Sequence, residues 1–212
     1  MCTLLLAQAP EMINIEPQFT PDVSFLPTFD AHYSSRLGKR RMGFRRIFEL
    51  LERKRKREYL IVETGCARWA GNWEGDGQST LMWDHFVRTH SGAVYTVDLN
   101  PNHCQLCQSF VSASTHVCCM DSVKFLWQFS APQPIDLLYL DSLDLDVRNP
   151  HPSAMHHVKE LCAVIGKLEK GTIIAVDDNL PQGPGKGMYL AQFLQNIGVQ
   201  PVLNDYQMAW VL

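Results

Sequence analysis

The stretch Tyr59-Leu-Ile-Val-Glu-Thr-Gly-Cys66, continued by Gly75-Asp-Gly-Gln-Ser-Thr80, decides how this chain folds. Its β-branched and aromatic residues predict a buried strand that stops at the carboxylate of Glu63. Glycines at 65, 71, 75 and 77 then let the backbone turn sharply and approach a ligand closely. Residues 78–89 carry Leu81, Met82, His85 and Phe86 at helical spacing. The start of that helix aims free N–H groups, with the Ser79 and Thr80 hydroxyls, back at the loop, where an anion fits. Neither Gly-x-Gly-x-x-Gly nor Gly-Lys-Ser/Thr occurs between Glu63 and the helix, so the loop is neither a dinucleotide fingerprint nor a P-loop.

Outward from this stretch the chain alternates. Strand-like runs fall at 59–63, 93–98, 115–119, 135–140 and 171–177, separated by helical patterns at 77–90, 101–112, 121–129 and 153–168. That rhythm predicts an α/β fold whose ligands gather at the carboxyl ends of parallel strands. After a helix at 187–197, residues 199–203 and 207–212 flank the turn Asn204-Asp205, so the last strand must run antiparallel. The expectation is a Rossmann-like, doubly wound seven-stranded sheet, mostly parallel, with an antiparallel C-terminal hairpin strand.

Four strands end in acid, at Glu63, Asp98, Asp141 and Asp177, and one sheet would place them on one rim. Asp98, in Val97-Asp-Leu-Asn-Pro101, can accept both hydroxyls of a ribose. It can equally serve a helix start, a role open to Asn100 as well. Asp141 and the run Asp177-Asp-Asn179 crowd carboxylates that repel unless a cation neutralises them. An oxygen-only donor set suits magnesium first, with manganese or calcium as alternatives. His156-His157, near the start of the following helix, is within reach of the same rim.

The glycine loop resembles the first motif of the class I methyltransferases that use S-adenosylmethionine. In its long form, residues 63–80, it is similar to a class 24 methyltransferase domain. The resemblance covers residues 58–212 and implies cofactor contacts from Glu63, Gly65, Gly77, Ser79 and Thr80. It also makes Asp98 the ribose acid and puts Asp121 and Ser122 beside the adenine, although Asp121 can instead cap its helix. The acids after strands four and five are similar to those of metal-dependent small-molecule O-methyltransferases. On that resemblance Asp141, Asp177 and Asp178 hold the metal, with Asn179 as the replacement if the register slips by one. Catechol-type members carry a lysine three residues after the first metal aspartate, where this chain has Asp144. Asp144 is therefore a candidate base, as are Asp146 and His157, while Asp141 places the acceptor hydroxyl. The implied reaction is direct transfer of the methyl group to a hydroxyl oxygen of a sugar or natural-product scaffold, with the sulfonium sulfur as the leaving group.

Bulk properties fit one domain: 212 residues and 46% hydrophobic content suffice for a sizeable core. Residues 1–57 read as an arm or lid followed by a basic helix, ahead of the domain at 58–212. Seven cysteines at irregular spacing do not make a disulfide framework and predict a reducing, cytoplasmic setting. No targeting segment or membrane span is expected. The net charge of −3 conceals a basic block, since residues 36–57 hold eleven Lys and Arg against two Glu, +9, which leaves −12 elsewhere. The block reads as a solvated helix face. A hydroxylated small molecule is the expected partner and nucleic acid is not, with homo-oligomerisation left open. The rival readings are a methyltransferase for RNA or protein, and a non-catalytic binding protein that uses the basic helix.

Overall fold

The computed structural model describes residues 23–76, 78–180 and 183–212. Helices α1 (Leu26–His32) and α2 (Arg41–Arg53) precede strand β1 (Tyr59–Thr64). A short helix α3 (Trp73–Asp76) and α4 (Ser79–His90) lead to β2 (Gly92–Asp98), then α5 (Pro101–Phe110), β3 (Thr115–Cys119) and α6 (Ser122–Gln128). The chain continues through β4 (Leu137–Leu140), α7 (His151–Val164), β5 (Ile173–Val176), α8 (Met188–Asn196), β6 (Pro201–Asn204) and β7 (Met208–Val211).

The sheet order is β3-β2-β1-β4-β5-β7-β6. The first five strands are parallel, while β7 pairs antiparallel with both β5 and β6. Seven strands with a closing hairpin are the arrangement predicted from the sequence. Side chains alternate along β1, so Tyr59 and Ile61 enter one core while Leu60 and Val62 enter the other. The first core is aromatic: Phe44 and Phe48 of α2 pack on Trp83 of α4, with ring centroids 5.6 and 5.0 Å apart. Helices α1 and α2, grouped with the arm in the sequence reading, therefore form a covering layer of the sheet. Residues 1–22 of that arm lie outside the described residues.

The basic block is partly committed to this packing. Arg40 is buried, and Arg45 and Arg46 both pair with Glu49. Lys54 and Lys56 each reach Asp136 at 2.8 Å. No helix among the described residues is long and apolar enough to cross a membrane.

Candidate active site

Glu63 ends β1 completely buried. Its Oε1 accepts from Ser79 Oγ at 2.6 Å and Trp83 Nε1 at 3.0 Å. Its Oε2 accepts from Thr80 Oγ1 at 2.6 Å and Thr96 Oγ1 at 2.7 Å. Burial pushes the carboxyl up to about 7 against the pull of those four donors. Glu63 thereby anchors the first turn of α4 from beneath. Thr80 Oγ1 also accepts from the Ala67 N–H at 3.0 Å, which ties the glycine loop to the same anchor. At Gly65 φ is +81°, and a Cβ there would lie 2.4 Å from the Asp141 carbonyl oxygen. Only glycine lets the end of β1 press against the end of β4, and this contact puts Asp141 beside the loop.

The result is a cleft at the carboxyl rim, lined by Gly65, Ser79, Asp98, Asp141, Asp144 and Asp178 among others. Lys39, Arg40 and Arg68 supply its positive charge. Asp98 accepts from the Asn100 N–H at 2.8 Å and lies 3.3 Å from His103 Nδ1, while still facing the cleft. Asn100, not Asp98, caps α5 by accepting from the Asn102 N–H. Asp121 accepts from the Lys124 N–H at 2.8 Å and so takes the helix-capping alternative. Ser122 Oγ is 3.0 Å from His156 Nε2, and neither Asp121 nor Ser122 lines the cleft. Gly77 lies outside the described residues.

The three expected metal ligands do meet, with carboxylate oxygens of Asp141, Asp177 and Asp178 within 4.8 Å of one another. Their partners, however, are protein cations. Lys186 Nζ lies 2.5 Å from Asp141 Oδ1 and 3.0 Å from Asp178 Oδ2. Arg40 donates from Nε to Asp177 Oδ2 at 2.6 Å and from Nη2 to Asp178 Oδ1 at 2.9 Å. The Tyr206 hydroxyl completes the set by donating to Asp178 Oδ1. Burial would raise Asp178, but Lys186, Tyr206 and Arg40 together hold it down at about 2. Burial would strip the proton from Lys186, yet Asp141 and Asp178 outweigh it and keep the ammonium charged. Three carboxylates against two cations leave at most one excess negative charge. The residues so arranged do not fit a resident magnesium, manganese or calcium ion, because Lys186 already stands between two of the three ligands.

The expected bases are corrected as well. Asp144 faces the cleft but pairs with Arg68 at 2.9 Å, and this hydrogen-bonded guanidinium holds its carboxyl below the usual range, unsuited to taking a proton. His157 does not reach the cleft. It is fully buried, its Nδ1 donates to the Ser153 carbonyl at 2.7 Å, and burial drives its pKa down to about 4. Its neighbour His156 instead lies 3.3 Å from Oε1 of the buried Glu160, the oxygen that also accepts from Ser142 of the cleft wall.

Sequence reading missed Arg40, Lys186 and Tyr206 as members of the rim. The available signal was the crowding itself: three acids with no metal-binding histidine or cysteine beside them require positive charge from somewhere along the chain.

No family model matches the sequence, and no curated protein matches it either. Among solved structures, LepI in complex with SAM superposes with a TM-score of 0.50 at 13% identity, over 81% of this chain and 52% of LepI. This chain thus spans about half the length of that protein. The O-methyltransferase TomG from Streptomyces achromogenes, solved with SAM, gives a TM-score of 0.47 at 14% identity over 84% of this chain and 88% of TomG. Fibrillarin from Methanococcus jannaschii, a pre-rRNA processing protein, gives 0.46 at 13% identity over 74% and 67%. Strand order and the LepI superposition show a Rossmann-like, seven-stranded fold shared with a protein solved in complex with SAM.

Proposed function

We propose that the chain is an S-adenosylmethionine-dependent methyltransferase acting on a hydroxyl of a small molecule. The observation that carries this reading is the meeting of Asp98, the turn at Gly65 and Ser79 in one cleft at the carboxyl rim. Asp98 accepts the ribose hydroxyls. The turn at Gly65, pinned through Thr80 to Glu63, presents backbone to the methionine end. LepI, a structural neighbour, is known in complex with SAM.

Asp141 is the carboxylate placed to receive the proton of the acceptor hydroxyl. It faces the cleft, and burial pushes its carboxyl up against the pull of Lys186. The hydroxyl oxygen displaces the sulfonium sulfur from the methyl carbon, and the proton passes to Asp141. The cleft walls contribute chiefly orientation and exclusion of water.

Of the basic block, exposed Lys39 lines the cleft, whereas its densest run lies elsewhere, which favours a small acceptor over RNA. Arg53, Arg55 and Arg57 are exposed just ahead of β1, at the amino-terminal rim of the sheet, opposite the cleft. Free thiols at Cys66, Cys104, Cys107, Cys118, Cys119 and Cys162 fit a reducing, cytoplasmic setting. Calorimetric titration of S-adenosylhomocysteine into the protein tests the reading. Saturable binding that Asp98→Asn weakens by about tenfold or more, about 1.4 kcal/mol, is the expected result. Absence of binding would overturn it.

A further inference from the structure

Lys186 lies in Gly183-Pro-Gly-Lys-Gly187, whose composition is that of a flexible loop, yet its side chain is only 1% exposed. Three local features hold it in place. Its N–H donates to the Asp178 carbonyl at 3.2 Å. Asn179 Oδ1 accepts from the Gly187 N–H at 2.7 Å, while Asn179 Nδ2 donates to the carbonyls of Val176 and Asp177 at 3.1 and 3.2 Å. At Gly185, finally, a Cβ would stand 2.5 Å from Asn179 Cα and 2.6 Å from the Asp178 carbonyl oxygen, so only glycine allows the two segments to lie this close. The loop is built to deliver one ammonium to one point.

That point lies between Asp141 and Asp178. We infer that Lys186 is the resident cation of the strand-end acid cluster, occupying the place from which a divalent ion would bridge these two carboxylates. An ammonium and a metal ion cannot share that place, because like charges a few ångströms apart repel strongly at low dielectric. Arg40 fills the other side with a planar fork suited to two carboxylates at once. Lys186 is a positioning residue: it fixes the Asp141 carboxylate at the cleft. The inference goes beyond the methyltransferase reading and holds whatever the cleft binds.

Titration of Mn2+ into the full chain, followed by loss of the free-ion electron paramagnetic resonance signal, tests it. The wild-type protein is expected to show no saturable uptake below about 1 mM. Lys186→Ala removes the ammonium and leaves three carboxylates, so it should bind Mn2+ at least about tenfold more tightly than wild type. Adding Asp141→Asn should erase that gain, and Lys186→Arg, which keeps the charge, should behave as wild type. Wild-type uptake below about 1 mM that Asp141→Asn abolishes would overturn the inference, whether or not the Lys186 variants fold. So would a Lys186→Ala protein with a cooperative melt that binds Mn2+ no better than wild type. S-adenosylhomocysteine titration in the presence of a chelator reads the cofactor site separately, so failure of either reading is recognised on its own.

Discussion

The two rims of the sheet solve the same electrostatic problem with different results. At the amino-terminal rim one buried carboxylate, Asp136, meets two lysines, Lys54 and Lys56, and accepts from the Leu60 N–H at 3.0 Å. Lys54 also donates to the Gly171 carbonyl at 2.8 Å, so the arrangement clasps α2 to two strand starts. At the carboxyl-terminal rim three carboxylates meet two cations, both nearly inaccessible, and the cluster opens into a cleft. There Asp177 Oδ1 is buried with no hydrogen-bond partner among the described residues. A clasp satisfies its charges completely, whereas a working rim keeps acid in excess and faces it toward a ligand.

This contrast can be broken most severely at Arg40. Arg40→Leu leaves Asp177 buried without its cation and should cost about 3–5 kcal/mol in urea denaturation. A loss below about 1 kcal/mol would mean that the carboxyl rim tolerates bare acid and that the pairing is incidental.

The next effect concerns His157, a buried ionisable group in neither cluster. Its pKa falls from the usual 6.5 to about 4 because burial disfavours the imidazolium. Below pH 6.5 the unfolded chain takes up a proton that the folded chain refuses, so stability declines as pH falls from about 6.5 to about 4, by about 3 kcal/mol in all. His157→Gln should flatten that part of the stability profile. An unchanged slope would assign the acid sensitivity to the carboxylate rim instead.

The smallest effect is expected at the clasp. Asp136→Asn keeps the side-chain shape but gives up two ion pairs whose lysines are 20% and 29% exposed, so about 1–2 kcal/mol is expected. A loss equal to that of Arg40→Leu would erase the distinction between the rims.

Much of the fold was legible because it rests on local periodicity. The runs that became β1, β2 and β5 are rich in β-branched and aromatic residues, β4 is an unbroken apolar run, and the turn at Asn204-Asp205 left the last strand no direction but antiparallel. The acids at strand ends were legible for the same reason. His157 could have been read correctly: with Ala154, Leu161 and Val164 it falls on the buried stripe of α7. Arg40 and Lys186 were not legible, since their partners are chosen by tertiary structure. Arg40 meets Asp177 across 137 positions of sequence, and within the basic block nothing local separates it from its solvated neighbours. Gly183-Pro-Gly-Lys-Gly187 has no period at all, so only the approach of Gly185 to Asn179 reveals what its lysine does.

Tyr206 gives the rim a consequence for the order in which the molecule is made. Its hydroxyl reaches Asp178 from the hairpin between β6 and β7, while Arg40 reaches the same carboxylate from the first third of the chain. A ribosome therefore synthesises the acids that follow β4 and β5 before the last residue that steadies them. Contacts this distant in sequence form late in folding. Until then the nascent edge that will become the cleft shows water-loving carboxylates in place of sticky apolar surface, and a half-made chain is shielded from its neighbours by the charges its finished form holds in check.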